Sequence, residues 1–151
     1  MLRERLGEEL KTAMKAKEQH KVSTLRLILA ALKDRDIAVR ANGQPDGISD
    51  DEILELFTKM VRQRRESIKL YEEGGRIDLA GREAEEIKII EAFLPRQLGD
   101  DEVAAAVAEV IAEVDAQGLK DMGPVMAALK QRYTGRMDFG KASALVKQRL
   151  A

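Results

Sequence analysis

Seven stretches whose apolar residues return every three or four positions, five of them closed by glycine or proline, leave this chain few options besides helices. Along Leu2–Lys17 the apolar face is Leu6, Leu10, Ala13 and Met14. From Lys21 to Ala41 it is Val22, Leu25, Ile28, Leu29, Leu32 and Val39. Asn42-Gly43 then supplies a left-handed stop, and Pro45 and Gly47 a turn. Ser49-Asp50-Asp51-Glu52 has the S-x-x-E form of a capping box, which starts a third helix ending at Gly74-Gly75. At 1.5 Å per residue that helix is roughly 36 Å long. Its apolar arc holds Ile53, Leu54, Phe57, Met60, Val61, Ile68 and Tyr71. A fourth helix, Arg76 to Phe93, presents Ile77, Ala80, Ala84, Ile87, Ile90 and Leu94 before Pro95 stops it.

The character changes after Leu94-Pro95-Arg96-Gln97-Leu98-Gly99, which places a domain boundary between residues 95 and 96. Asp100 or Asp101 caps a fifth helix, with Val103, Val107, Val110, Ile111 and Val114 inward and Gly118 at its end. Asp121 caps the sixth, where Pro124 is tolerated in the first turn. Asp138 caps the seventh, with Phe139, Ala142, Leu145, Val146 and Leu150 inward. The expected fold is therefore all-α: an N-terminal hairpin or bundle of about four helices, residues 1–95, and a C-terminal three-helix domain, residues 96–151. Only 3% of the residues are aromatic, so the cores must be built from Ala, Val, Leu and Ile.

The same composition removes several kinds of chemistry. With no cysteine there is no disulfide, thiolate metal site or cysteine nucleophile, and one histidine, His20, cannot build a histidine metal site. His20 lies in a polar segment and reads as a surface residue. Serines 23, 49, 67 and 143 have no neighbouring base, so nucleophilic catalysis has no support. Gly135-Arg-Met-Asp-Phe-Gly140-Lys141 fits seven positions of the phosphate loop G-x-x-x-x-G-K-[ST]. Its eighth position is Ala142, and a helical pattern rather than a strand precedes it. The acidic cluster Asp46, Asp50, Asp51, Glu52 lacks the alternating ligands of a calcium loop, and helix capping explains it. No cofactor and no metal are expected. The N-terminus has no apolar signal core and no run approaches a membrane span, so a cytoplasmic location without membrane contact is expected.

Two kinds of site residue remain. Arg64 falls in the apolar arc of the third helix and Glu83 in that of the fourth. If the two helices fold back at Gly74-Gly75, positions summing to about 150 face each other, so the pair is expected to meet as a structural ion pair. An arginine–carboxylate pair anchors far more often than it shuttles protons. On the opposite face of the third helix Arg62, Arg65 and Lys69, with Lys59 nearby, form a basic strip interrupted by Glu55 and Glu66.

The C-terminal domain is divided electrostatically, although the net charge of the whole chain is −1. Residues 96–119 hold one basic residue, Arg96, against six acidic ones; residues 120–151 hold seven basic against Asp121 and Asp138. Acidic and basic helices attracting each other is one account of this. The other is that Lys130, Arg132, Arg136, Lys141 and Lys147 contact the phosphates of a nucleic acid. So few aromatics argue against stacking on single-stranded bases and for recognition of a folded RNA by shape and phosphate.

Several of these segments resemble the YqeY family: Ser23-Thr-Leu-Arg-Leu-Ile-Leu-Ala-Ala-Leu-Lys33, Arg62-Gln-Arg-Arg-Glu-Ser67 with Tyr71, Gly75-Arg76, Asp78-Leu79-Ala80 and Phe93-Leu94-Pro95. So do Asp121-Met122-Gly123 with Val125-Met126, and Gly135-Arg136 running into Leu145-Val146-Lys147. The resemblance covers essentially the whole chain with the motifs in order. It implies a relation to the tail domain of the B subunit of the glutamine-dependent aspartyl/glutamyl-tRNA amidotransferase, an RNA-contacting appendage. The partners implied are tRNA, amidotransferase subunits or a tRNA synthetase. The first expectation is a tRNA-binding or amidotransferase-associated accessory protein without its own active site. The alternatives are a carbon–nitrogen ligase with glutamine as amide donor, which the family relation implies, and a protein–protein adaptor using the long third helix.

Overall fold

Apolar periodicity folds this chain into seven helices, and side-chain caps or glycines fix the ends of some of them. The computed structural model describes residues 1–151 and contains no strand. Its helices are α1 Leu2–Lys15, α2 Gln19–Arg40, α3 Asp50–Glu73, α4 Ile77–Glu91, α5 Asp100–Val114, α6 Met122–Tyr133 and α7 Phe139–Leu150. A 3₁₀ turn, Leu119–Asp121, precedes α6. They form two compact units, Met1–Phe93 and Leu94–Ala151.

In the N-terminal unit the capping box forms as its sequence requires. The Glu52 amide donates to Ser49 Oγ at 3.2 Å, and the Ser49 amide to Glu52 Oε1 at 3.1 Å. α3 then runs without a break to Glu73, where Gly75 takes the left-handed φ of 75° that reverses the chain. α3 packs along α4, α1 against α2, and α2 against α4. Leu6, Leu25, Ile28, Ile53, Phe57 and Ile90 are fully enclosed among them. Phe57 meets Phe93 edge to face, with ring centroids 6.2 Å apart, and the Arg5 guanidinium lies over Phe93.

The α2–α3 loop is pinned by a contact that periodicity cannot show. Asp36, one turn from the end of α2, takes the Arg3 guanidinium on both carboxylate oxygens, while Arg3 Nη2 also donates to the Ile48 carbonyl at 2.7 Å. The Ile48 amide donates back to Asp36 at 2.9 Å, and Ile48 itself is buried. Gly47 passes so close, at φ 86°, that a Cβ there would sit 2.3 Å from the Asp36 carboxylate.

In the C-terminal unit Val103, Val107, Val110, Val125, Leu129 and Val146 build a core without buried aromatic rings. The turn after α6 closes onto the segment before α5: the Leu98 amide donates to the Arg136 carbonyl at 2.9 Å, and Gln97 Nε2 to the Gly135 carbonyl at 2.6 Å.

Several local expectations need correction. Gly99, not Asp100 or Asp101, occupies the cap position of α5; Glu102 reaches back to its amide at 3.1 Å, leaving both aspartates in the first turn. α5 ends at Val114 with Asp115 left-handed, three residues before Gly118. Asp121 holds the cap position of α6 as expected but makes no side-chain bond into it; its carboxylate accepts from the Gln117 amide at 2.8 Å instead. α1 stops at Lys15, and Met14 in its last turn is exposed. Ile77, the first residue of α4, is exposed because it lies at the hairpin tip.

Candidate functional site

α6, α7 and the turn between them carry the five basic residues singled out from the sequence, and their surroundings separate those residues into two groups. Arg132, in the last turn of α6, is held by Glu113 on α5, and its guanidinium draws the Glu113 carboxyl below the ordinary range. Arg136 is half-buried, and its Nε donates to the Arg96 carbonyl at 3.2 Å. Both are therefore engaged within the unit. Lys130, Lys141 and Lys147 are exposed and within ion-pair distance of no carboxylate. A lysine in that state presents a full, solvated charge to an incoming anion.

The turn between α6 and α7 shows what the phosphate-loop pattern does instead. Gly135 is buried with φ 76°, the sterically permissive conformation that turns the chain out of α6. The Gly140 amide, which a phosphate cradle would aim at its ligand, donates to Asp138 Oδ1 at 2.8 Å as the cap of α7. Gly140-Lys141 is thus the first turn of a helix after another helix, and no strand precedes it.

Arg96 binds Glu102 through two parallel bonds of 3.0 and 2.9 Å, while Glu102 also accepts from the Gly99 amide. The guanidinium first, and the amide second, hold the Glu102 carboxyl at about 2, against an ordinary 4.5. This clamp fixes the start of α5, and no sequence motif marks Arg96 as its partner.

In the N-terminal unit Arg64 sits 4.0 Å from Glu83 but only 2.9 Å from Glu86. Glu86 is the closer partner and was missed; it is also the residue whose number sums with 64 to 150, so the fold-back register itself points to it. Arg64 Nη1 additionally donates to the Met60 carbonyl at 3.3 Å. Burial, and then the neighbouring Glu86 charge, push the Glu83 carboxyl above its ordinary value, against the opposing pull of Arg64. Of the basic strip on α3, Arg65 reaches Glu91 at 3.6 Å and Lys69 is exposed. His20 is not a plain surface residue: it is half-buried, with Nε2 enclosed and 3.4 Å from Glu85 Oε2, where α2 meets α4.

No group of three or more metal-ligating side chains converges anywhere in the chain. No helix is long and apolar enough to cross a membrane.

Comparison with known proteins gives a match to the model of the Yqey-like protein family over residues 3–150. Among curated proteins, the altered inheritance of mitochondria protein 41, mitochondrial, of Kluyveromyces lactis is 30% identical over 137 residues, covering 89% of this chain and 68% of that protein. Its counterpart in Vanderwaltozyma polyspora is 33% identical over 89 residues, 59% of this chain and 46% of that protein. The Eremothecium gossypii protein of the same name is 34% identical over the same shares. The chain spans about half the length of these last two relatives.

Proposed function

This chain belongs to the Yqey-like protein family, and on that premise we propose that it is an accessory protein that docks tRNA on its C-terminal unit and performs no chemistry of its own. The observation that carries the reading is the set of three lysines, Lys130, Lys141 and Lys147, left exposed and unpaired beside arginines that the fold has already engaged. A self-contained acidic–basic helix pair would have matched its charges internally; here the pairing stops at Arg132. Phosphates of a folded RNA complement such a surface, and the lack of exposed aromatic rings favours backbone over base contact.

The resemblance to the amidotransferase tail makes tRNA the natural RNA, with amidotransferase subunits or a tRNA synthetase as the proteins met on it. The fungal relatives are mitochondrial proteins by name, whereas the sequence led to a cytoplasmic expectation; both compartments contain tRNA, and the reading requires no more than that.

Binding of tRNA by the full chain, measured across a salt series, tests the proposal. Neutralising about three phosphates gives a log–log slope near −2 to −3. Replacing Lys130, Lys141 and Lys147 together by glutamate is expected to abolish binding while leaving the helical signal intact. Arg132→Gln is expected to change binding little, because Glu113 already holds that charge. Unchanged tRNA affinity in the triple variant would overturn the assignment. Glutamine-dependent amidation of misacylated tRNA by the chain with ATP would replace the accessory role with a ligase one.

A further inference from the structure

α2 is apolar on two opposite faces, and only one of them is used. Leu25, Ile28 and Leu32 are buried in the core of the N-terminal unit. On the outer side Leu27 and Ile37 remain 51% and 53% exposed, with Ala30 and Ala38 exposed between and beside them. At 100° per residue Leu27, Ala30, Asp34 and Ile37 fall within an arc of about 80°, spaced as the a and d positions of a coiled-coil seam. A helix with two apolar faces is ordinarily buried on both.

The flanks of this seam are charged in one sense. Arg26, Lys33 and Arg40 recur at seven-residue spacing along one edge, all exposed and none in an ion pair. The seam also opens into a shallow cleft of about 450 Å³ between α2 and α3, with Ala31, Leu56 and Met60 toward its floor and Arg35 and Lys59 lining it. Asp34 is the single carboxylate lining the cleft; Asp36, the other acid of this part of α2, is taken by Arg3.

We infer that the outer face of α2 docks an acidic amphipathic helix of a partner protein, its apolar stripe on Leu27 and Ile37 and its carboxylates on the Arg26–Lys33–Arg40 edge. Edge charges of this kind set partner choice in helix pairing. A second copy of this chain fits badly in either direction. Antiparallel pairing would face the basic edge with its own like charges, and parallel pairing would set Asp34 against Asp34. A planar lipid surface does not fill a concave cleft, and RNA offers nothing to cover the apolar seam. Met60 on the floor is an adaptable contact for such a helix. This surface belongs to the N-terminal unit and does not depend on the tRNA reading.

The test is selection on the full chain from a displayed library of three-heptad peptides, with Leu and Ile fixed at the seam and Glu, Gln or Lys at each flanking position. Enrichment of glutamate flanks is expected. The selected peptide is expected to bind about tenfold or more weakly to Leu27→Glu, and to lose binding to the triple variant Arg26→Glu, Lys33→Glu, Arg40→Glu. Circular dichroism of both variants should match the parent, since the changed side chains are exposed. Selection repeated on the triple variant should return lysine flanks. No enrichment, enrichment without charge preference, or undiminished binding to the triple variant would overturn the inference. So would dimerisation in sedimentation that Leu27→Glu removes, or cosedimentation with phosphatidylserine vesicles that the triple variant loses.

Discussion

The two units dispose of their charges in opposite ways. The N-terminal unit draws arginines inward: Arg3 is clasped by Asp36 under the α2–α3 loop, and Arg64 is shared between Glu86 and Glu83 within the α3–α4 hairpin. The C-terminal unit keeps its pairs at the surface, Arg132 on Glu113 and Arg96 on Glu102, around a core of mostly aliphatic side chains. Charges in the first unit therefore fix geometry, because half-buried groups deprived of water must keep their partners. Charges in the second unit cost little to rearrange, and its unpaired lysines remain available to a ligand.

Breaking the inward set should cost most. Gly47→Ala puts a methyl group against the Asp36 carboxylate at a left-handed φ, and is expected to destabilise the chain by about 3 kcal/mol, read as a lower denaturant midpoint. Arg64→Met leaves Glu83 and Glu86 side by side without their cation. Because the side chains are 15–23% exposed, the expected loss is about 2–3 kcal/mol, below that of a fully buried pair. A loss as small as that for a surface substitution would remove the distinction between the units.

The two shifted glutamates give the contrast opposite signs in acid. Glu83 is raised, so the folded chain holds its proton more tightly than the unfolded one. Its contribution improves as pH falls through the folded value toward the unfolded one, and is unfavourable at neutral pH. Glu83→Gln should therefore raise the melting temperature slightly at pH 7 and remove this pH dependence. Glu102 is depressed to about 2, so its clamp is fully present above the unfolded value of 4.5 and is lost only as pH falls from there toward 2. Carboxyl NMR titration should show Glu102 still ionised at pH 3, and Arg96→Gln should return its titration toward the ordinary range. The smallest effect is expected for Arg132→Gln, whose exposed ion pair should leave the melting temperature within error.

Much of this was readable one residue at a time. The third helix began at Ser49 and ended at Gly74 because capping box and glycine stop act within a few residues. The inward valines of α5 followed from helical spacing alone. At α5 three acidic residues follow one another, and only backbone position decides that Gly99 is the cap and that Glu102 reaches its amide; at α6 Asp121 holds the cap position, but its carboxylate turns back to the Gln117 amide. The sequence points to Glu83 because it falls within the apolar arc of α4, whereas Glu86 lies at the edge of that arc; the fold-back count favours Glu86, and the structure puts Glu86 nearer to Arg64.

By itself, then, the sequence determined the helices and their apolar faces, since these depend on periodicity, local capping and residue type. Only the tertiary structure decided which charges are engaged. It gave Arg132 to Glu113 and Arg3 to Asp36, left Lys130, Lys141 and Lys147 unmatched, and covered one apolar face of α2 but not the other. The physical reason is that pairing and burial depend on distances between segments far apart in the chain, which no local pattern encodes.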